Sequence, residues 1–281
     1  MGRTDPAQGL LLHSVPPSPT RASGEHRRCG GARPGFRIPA TVVGGDSASV
    51  VACAVFEAFT RKIFMLTIMH LAHSRSDRLI WLFEELGLEF GRDYEVQTFE
   101  RNPETQRAPT EMKALHPFAK APMLRDGDRV LIESGAIFEY MMARHGDAGL
   151  VPKSSDPDWP DYIQWLHFAE GSAMLPILLD HFQAAGLAGP PGESPLAAMA
   201  KSGMEQLFAY IESVLCERTF LAGERFTAAD VMMGWVVEMI DFKGELGPYP
   251  SMQRYLKAIH ARPAHQRAQR RAAQSAAAGT G

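Results

Sequence analysis

The chain is short of the features that mark several large functional classes. Its three cysteines, Cys29, Cys53 and Cys216, are too scattered for a disulfide framework and include no close pair for a redox dithiol or a zinc site. A reducing, cytoplasmic setting is expected. The most apolar early stretch, Ala48 to Phe59, is short and carries Glu57, so it has neither the length of a membrane span nor the form of a secretory signal. No membrane anchor is expected. There is no Gly-rich phosphate loop ending in Lys-Ser/Thr, no Gly-x-Ser-x-Gly elbow and no His-Glu-x-x-His, which sets aside three large enzyme classes. Basic excess is missing too. The net charge is -3, and residues 1–64 hold 8 Lys and Arg against 4 Asp and Glu, leaving 21 against 28 for the rest. An acidic body argues against a nucleic-acid surface, and Arg262, Arg267, Arg270 and Arg271 make only a local patch. Among the ten histidines only His70 and His73 lie at metal-ligand spacing, and they straddle a strand end rather than share a helix face. No metal is expected.

What is present is an ordered pattern that begins at Met65. Residues 1–64 are rich in Pro, Gly, Ser and Arg and lack a packed core in this reading, as a disordered leader or a mis-assigned start with Met65 the first residue. Met65 to His70 reads as a strand. Ser74 to Leu86 follows as a helix, with Leu79, Leu82, Phe83 and Leu86 at helical spacing and Gly87 as its stop. Tyr94 to Phe99 alternates as a second strand, Thr110 to Leu115 makes a short helix, and Pro122 to Leu124 with Arg129 to Ile132 forms a hairpin around Asp126-Gly127-Asp128. Glu133 to His145 closes a βαβαββα unit with Gly146 as its cap. From there the pattern is helical: Trp159 to Ala185 with a kink at Pro176, Pro195 to Cys216, Thr227 to Ile240, and Pro250 to Ala261. Thr227-Ala-Ala-Asp230 is a capping box, and the helix after it is apolar on most sides, as a buried central helix should be. The expected division is 1–64 leader, 65–147 mixed α/β domain, 148–157 linker, 158–262 helical domain and 263–281 tail.

Several motifs taken in order resemble the glutathione transferase family over residues 65–262. They are His-Ser-Arg-Ser-Asp-Arg-Leu-Ile-Trp-Leu (73–82), Leu-His-Pro-Phe-Ala-Lys-Ala-Pro-Met-Leu (115–124), Ile-Glu-Ser-Gly-Ala-Ile (132–137) and Phe-Thr-Ala-Ala-Asp (226–230). The resemblance implies a thioredoxin-like domain followed by an α-helical bundle domain. It also implies a serine-type transferase, cytosolic and homodimeric, that adds glutathione to small apolar electrophiles, with possible peroxidase activity. Glutathione is the co-substrate and no bound cofactor is implied. Ala121-Pro122 resembles the cis bond that lays the peptide along a strand edge, although a strand-initial proline would look the same. Glu133-Ser134, at a strand-to-helix junction, is matched to the γ-glutamyl end, and Lys120 to the glycyl carboxylate.

Ser74, four residues before Arg78, is implied as the hydroxyl that stabilises the thiolate. Ser76 competes for that role, and either also reads as a helix N-cap. No cysteine or tyrosine lies between Met65 and Arg78, so the nucleophile is left to glutathione itself. Trp165, Phe168, Ser172, Met174 and Leu175 are the expected walls for the second substrate, though core packing explains most of them. Two rivals stay open: a non-catalytic binding or regulatory protein of the same fold, and a glutathione-dependent disulfide reductase.

Overall fold

The structure, a computed structural model, describes residues 65–72, 74–102, 107–184, 186 and 194–278. The leader reading of residues 1–64 lies outside them. Strand β1 (Leu66–Leu71) is buried along its whole length, as an apolar run at the centre of a covered sheet must be. It pairs parallel with β2 (Tyr94–Phe99) and antiparallel with β3 (Met123–Asp126), which pairs antiparallel with β4 (Arg129–Ile132), in the order β2-β1-β3-β4. Gly127 supplies the positive φ, 58°, that the tight β3–β4 turn needs. With helices α1 (Asp77–Glu85), α2 (Met112–Leu115) and α3 (Ser134–His145), the expected βαβαββα order is complete.

Helix α1 departs from its sequence pattern in an informative way. Its spacing predicts one apolar stripe, yet every residue from Arg78 to Glu84 is buried, because the sheet covers one face and helices from the second half cover the other. Those helices are α4 (Trp159–Gly171), α5 (Met174–Ala184), α6 (Pro195–Glu217), α7 (Ala228–Phe242), α8 (Pro250–His260) and α9 (Pro263–Ala278). The buried apolar side chains of both halves form one continuous cluster. No helix among the described residues is long and apolar enough to cross a membrane.

Helix α7 is the buried centre of the second half, as expected. Both bonds of the Thr227–Asp230 capping box are present, and the fully buried Asp230 carboxylate also accepts from Leu221 N at 3.0 Å. Burial pushes the Asp230 carboxyl up to about 6 against these hydrogen bonds. Midway along α7, a Cβ on Gly234 would lie 2.8 Å from Trp81 Cζ3 and 2.9 Å from Ile259 Cδ1. Gly234 is what allows α1 and α8 to approach α7 this closely.

Two expectations need correction. The segment 159–185 is not one helix kinked at Pro176 but two, separated at Ser172 and Ala173. Pro176 lies in the first turn of α5, where its missing N–H has no helical partner to lose. Residues 263–278, read as part of a tail, form the 16-residue helix α9. Ala264, His265 and Ala268 are buried, Arg262 grips Glu85 through two bonds of 2.7 Å, and Arg267 donates to Glu84 at 2.6 Å. Arginines that looked like a surface patch hold this helix against α1.

Candidate functional site

Strand register brings the three separated sequence pieces together. Met69 of β1 faces Met123 of β3, which faces Ile132 of β4. The segments next along the chain therefore share one end of the sheet: the loop Leu71 to Ser76 after β1, Ala121-Pro122 before β3, and Glu133-Ser134 after β4. The Ala121-Pro122 bond is cis. Met69, Met112 and Met123 form a small buried cluster beneath this end, with Ala121 and Ile132 packed against it.

Ser74 and Ser76 belong to a buried hydroxyl chain. Ser76 Oγ lies 2.7 Å from Ser74 Oγ and 2.8 Å from His70 Nδ1, accepts from Leu71 N at 3.2 Å, and lies 3.3 Å from Leu71 O. Ser74 Oγ also accepts from Ser76 N at 3.2 Å. Ser76 is fully buried and Ser74 is 9% exposed. Each hydroxyl has one proton and two lone pairs, and although Ser76 can also donate to Leu71 O at 3.3 Å, two settings fill both of the shorter contacts. When His70 Nδ1 carries a proton, it and Leu71 N fill the lone pairs of Ser76, and Ser76 donates to Ser74. Both lone pairs of Ser74 are then filled and its proton turns outward. When Nδ1 is a lone pair, Ser76 donates to His70, and Ser74 donates back to Ser76.

His70, 1% exposed, and Asp77 extend this chain. His70 Nδ1 is 3.6 Å from Asp77 Oδ1, and Asp77 Oδ2 accepts from Trp235 Nε1 at 3.3 Å. Burial pushes the Asp77 carboxyl up to about 7, outweighing the bond from Trp235. Its sequence position, in the first turn of a helix, favours the opposite shift.

At the other piece, Glu133 is exposed and holds a φ of 72°, a conformation that costs a non-glycine residue roughly 1–3 kcal/mol and clusters at ligand clamps. The Glu133 side chain does not cap the first turn of α3. Ser134 is 2% exposed, and its hydroxyl donates to Glu170 Oε1 at 3.1 Å. Glu170, on α4, also accepts from Arg78 Nη1 and, at 2.5 Å, from Arg75 Nη1. One carboxylate thus joins the Ser74–Arg78 loop, the start of α3 and the helical half. Arg78 is completely buried, its Nε and Nη2 have no partner among the described residues, and its guanidinium lies 4.8 Å over the Trp235 ring. Burial pulls its pKa down to about 10.

Lys120 is exposed, with Nζ 4.5 Å above the Phe118 ring and no carboxylate partner among the described residues. The five residues expected along the second-substrate wall are not equivalent. Trp165 is 1% exposed and stacks on Tyr210 at 5.0 Å, with Phe168 edge-on to it, and Met174 is buried. Ser172 and Leu175 are exposed at the α4–α5 break. Sequence reasoning missed His70, Asp77 and Glu170. His70 carried a faint signal as a histidine in a mostly apolar strand, whereas Glu170 is 92 residues from Arg78 and had none.

Comparisons with known proteins agree with this architecture. Residues 68–143 match the model of the glutathione S-transferase N-terminal domain, and residues 191–265 that of the C-terminal domain. The chain is 30% identical over 210 residues to glutathione S-transferase 1 of Saccharomyces cerevisiae, covering 67% of this chain and 87% of the relative. A solved glutathione S-transferase from Actinobacillus pleuropneumoniae superposes with a TM-score of 0.62 at 30% identity, covering 74% of this chain and 93% of the other. A glutathione transferase homologue from Sulfitobacter, solved with bound glutathione, has a TM-score of 0.61 at 21% identity, covering 73% and 97%.

Proposed function

The chain belongs to the glutathione transferase family and is a transferase enzyme, and from that premise we propose that it conjugates glutathione to small hydrophobic electrophiles, with Ser74 as the thiolate donor. The buried hydroxyl chain carries this reading. Of the two settings that fill both short contacts, the one in which His70 Nδ1–H points at Ser76 leaves the Ser74 proton free for the sulfur, so His70 and Ser76 act as positioning residues behind Ser74.

The chemistry required is modest. A thiol with a reference pKa of about 8.5 is mostly protonated at neutral pH. Each unit of depression needs about 1.4 kcal/mol of preference for the anion, and a hydrogen bond to a charged group contributes about 1.5–3 kcal/mol. One outward Ser74 hydroxyl therefore supports a shift of one to two units. The released proton goes to solvent, the thiolate attacks the electrophilic carbon, and the leaving group departs with the electron pair of the broken bond.

Binding follows from the other pieces. The uncapped N–H groups at the start of α3 and the Ser134 hydroxyl suit the γ-glutamyl carboxylate. Glu133 and Glu170 suit the adjacent ammonium. Ala121, next to Pro122, offers backbone groups to the peptide, and Lys120 suits the glycyl carboxylate. Phe168, Ser172 and Leu175 stand on the side proposed for the electrophile, with Trp165 and Met174 packed behind them. A role in detoxification, a cytoplasmic location, a homodimer and a secondary peroxidase activity complete the proposal.

The test is the pH profile of kcat/KM with a chloronitroaromatic electrophile. Ser74→Ala should raise the apparent thiol pKa by about one to two units and cut the rate near pH 7 by about 10- to 100-fold. His70→Leu should move the same profile, and His70→Asn, which keeps an N–H donor at the Nδ1 position, should restore most of it. An unchanged profile in Ser74→Ala would remove the serine mechanism. Retention on a glutathione resin without turnover of any electrophile would point instead to the binding-protein reading.

A further inference from the structure

The geometry points to a divalent metal site on the helical half, formed by Glu238, His260 and His265 and suited to a zinc-class ion. Among the described residues these three offer ligand atoms that all lie within 4.8 Å of one another. They come from three helices. Glu238 is on α7, His260 ends α8, and His265 is in the first turn of α9. The α8–α9 corner has only Ala261 and Arg262 between the helices, and it sets the two imidazole rings 4.9 Å apart.

Both imidazoles aim the same atom at the same oxygen. His260 Nε2 is 2.9 Å and His265 Nε2 is 2.7 Å from Glu238 Oε1. A tetrahedral ion with bonds of about 2.0–2.1 Å holds its ligand atoms roughly 3.3 Å apart. The two imidazole–carboxylate sides therefore need to open by only about half an ångström to admit an ion in place of the N–H protons, and the third side, between the two imidazole nitrogens, is within 4.8 Å.

Rigidity and access fit the assignment. His265 is 4% exposed and packs edge-on against Trp81, with ring centroids 4.6 Å apart. Glu238 is half-buried and His260 is exposed, so the outer side of the triangle is open for a water ligand. A recess beside the cluster is lined by Asp77, Arg78, Trp81 and Trp235 together with Glu238 and His265. The cation in that recess, Arg78, is already paired with Glu170. Two imidazoles and one carboxylate without a thiolate select zinc, cobalt, nickel or copper over magnesium or calcium. An ion here would pin the α8–α9 corner to α7, and with it the helix that covers α1.

The experiment uses the full chain, stripped with a chelator and titrated with zinc or cobalt chloride. Equilibrium dialysis should show one equivalent bound, the cobalt spectrum should lack a thiolate charge-transfer band, and the melting temperature should rise with metal and fall again with chelator. His260→Ala and Glu238→Gln, chosen because one is exposed and the other isosteric, should each weaken binding by at least about tenfold. A chain that binds no stoichiometric metal, binding undiminished in either variant, or a thiolate band arising from a cysteine would overturn the assignment.

Discussion

Gly234→Ala probes the contact on which the two halves of this chain depend. Normal carbon contacts lie at about 3.5–4.0 Å, whereas a Cβ at 234 would lie 2.8 Å from Trp81 Cζ3, 3.1 Å from Trp81 Cη2 and 2.9 Å from Ile259 Cδ1. Ile259 Cδ1 is the end of a flexible side chain and can swing aside. The indole cannot. Trp81 is 3% exposed, wedged against Phe226 and His265, and its Nε1 is bonded to Glu85 at 2.9 Å. Overpacking of this kind costs about 1–3 kcal/mol, while replacing a helical glycine by alanine returns about 0.8–1.0 kcal/mol. The expected net loss is about 0–2 kcal/mol, or up to roughly 8 °C in melting temperature for a folded body of this size. Thermal and urea melts of the unliganded chain measure it. Trp81→Phe removes both offending ring atoms, so in that background Gly234→Ala should become neutral or stabilising, with a coupling energy of about 1 kcal/mol or more. A higher melting temperature for Gly234→Ala alone would refute the reasoning, because helical propensity would then have beaten the contact.

Three further outcomes are expected. Asp77, with a folded pKa of about 7 against about 3.9 when unfolded, binds more protons folded than unfolded. Its relative stability is therefore fully present below about pH 4 and lost as pH rises through about 7. A quarter of the Asp77 side chain is exposed, which limits the effect, so Asp77→Asn should become more stable than the parent by about 1–3 kcal/mol at pH 8, and melts at pH 4 and pH 8 compare them. Glu170→Ala strands the buried Arg78 and should cost about 3 kcal/mol, whereas Arg78→Met leaves Glu170 partly solvated and paired with Arg75 and should cost about 1 kcal/mol or less, a ranking that denaturant midpoints can reverse. Arg267→Ala removes the closest cation from the buried Glu84 carboxylate, leaving the Tyr94 hydrogen bond at 2.8 Å and the longer Arg271 ion pair at 3.7 Å, and should cost about 1–2 kcal/mol with exchange protection lost first in α9.

Local patterns carried much of this architecture into plain view. Apolar β1, the Asp126-Gly127-Asp128 hairpin and the Thr227–Asp230 capping box are each short-range statements in which neighbouring residues satisfy one another's backbone groups. The α4–α5 break was misplaced because a proline signals a helix end only when it follows the first turn, and the boundary at Ser172 carries no comparable mark. Helix α9 was missed because its stability comes from Trp81, Glu84 and Glu85 on another element. Its own sequence, rich in Arg, Ala and Gln, offers only alanines such as Ala264, Ala268 and Ala272 as apolar residues on the face it packs.

By itself the sequence determined the element order of the first half, the family and the three pieces of the proposed glutathione site, since those rest on local propensity and on motifs read in order. Tertiary structure decided what each polar residue near that site can do. Ser74 and Ser76 are equivalent as letters. They differ only once His70, Leu71 and the backbone of Ser76 have claimed particular lone pairs. Arg78, Glu170 and the Glu238–His260–His265 triangle likewise acquire meaning through distances set by helix packing. Hydrogen-bond valence and charge pairing are properties of where atoms meet, and those meetings span up to 92 residues of chain.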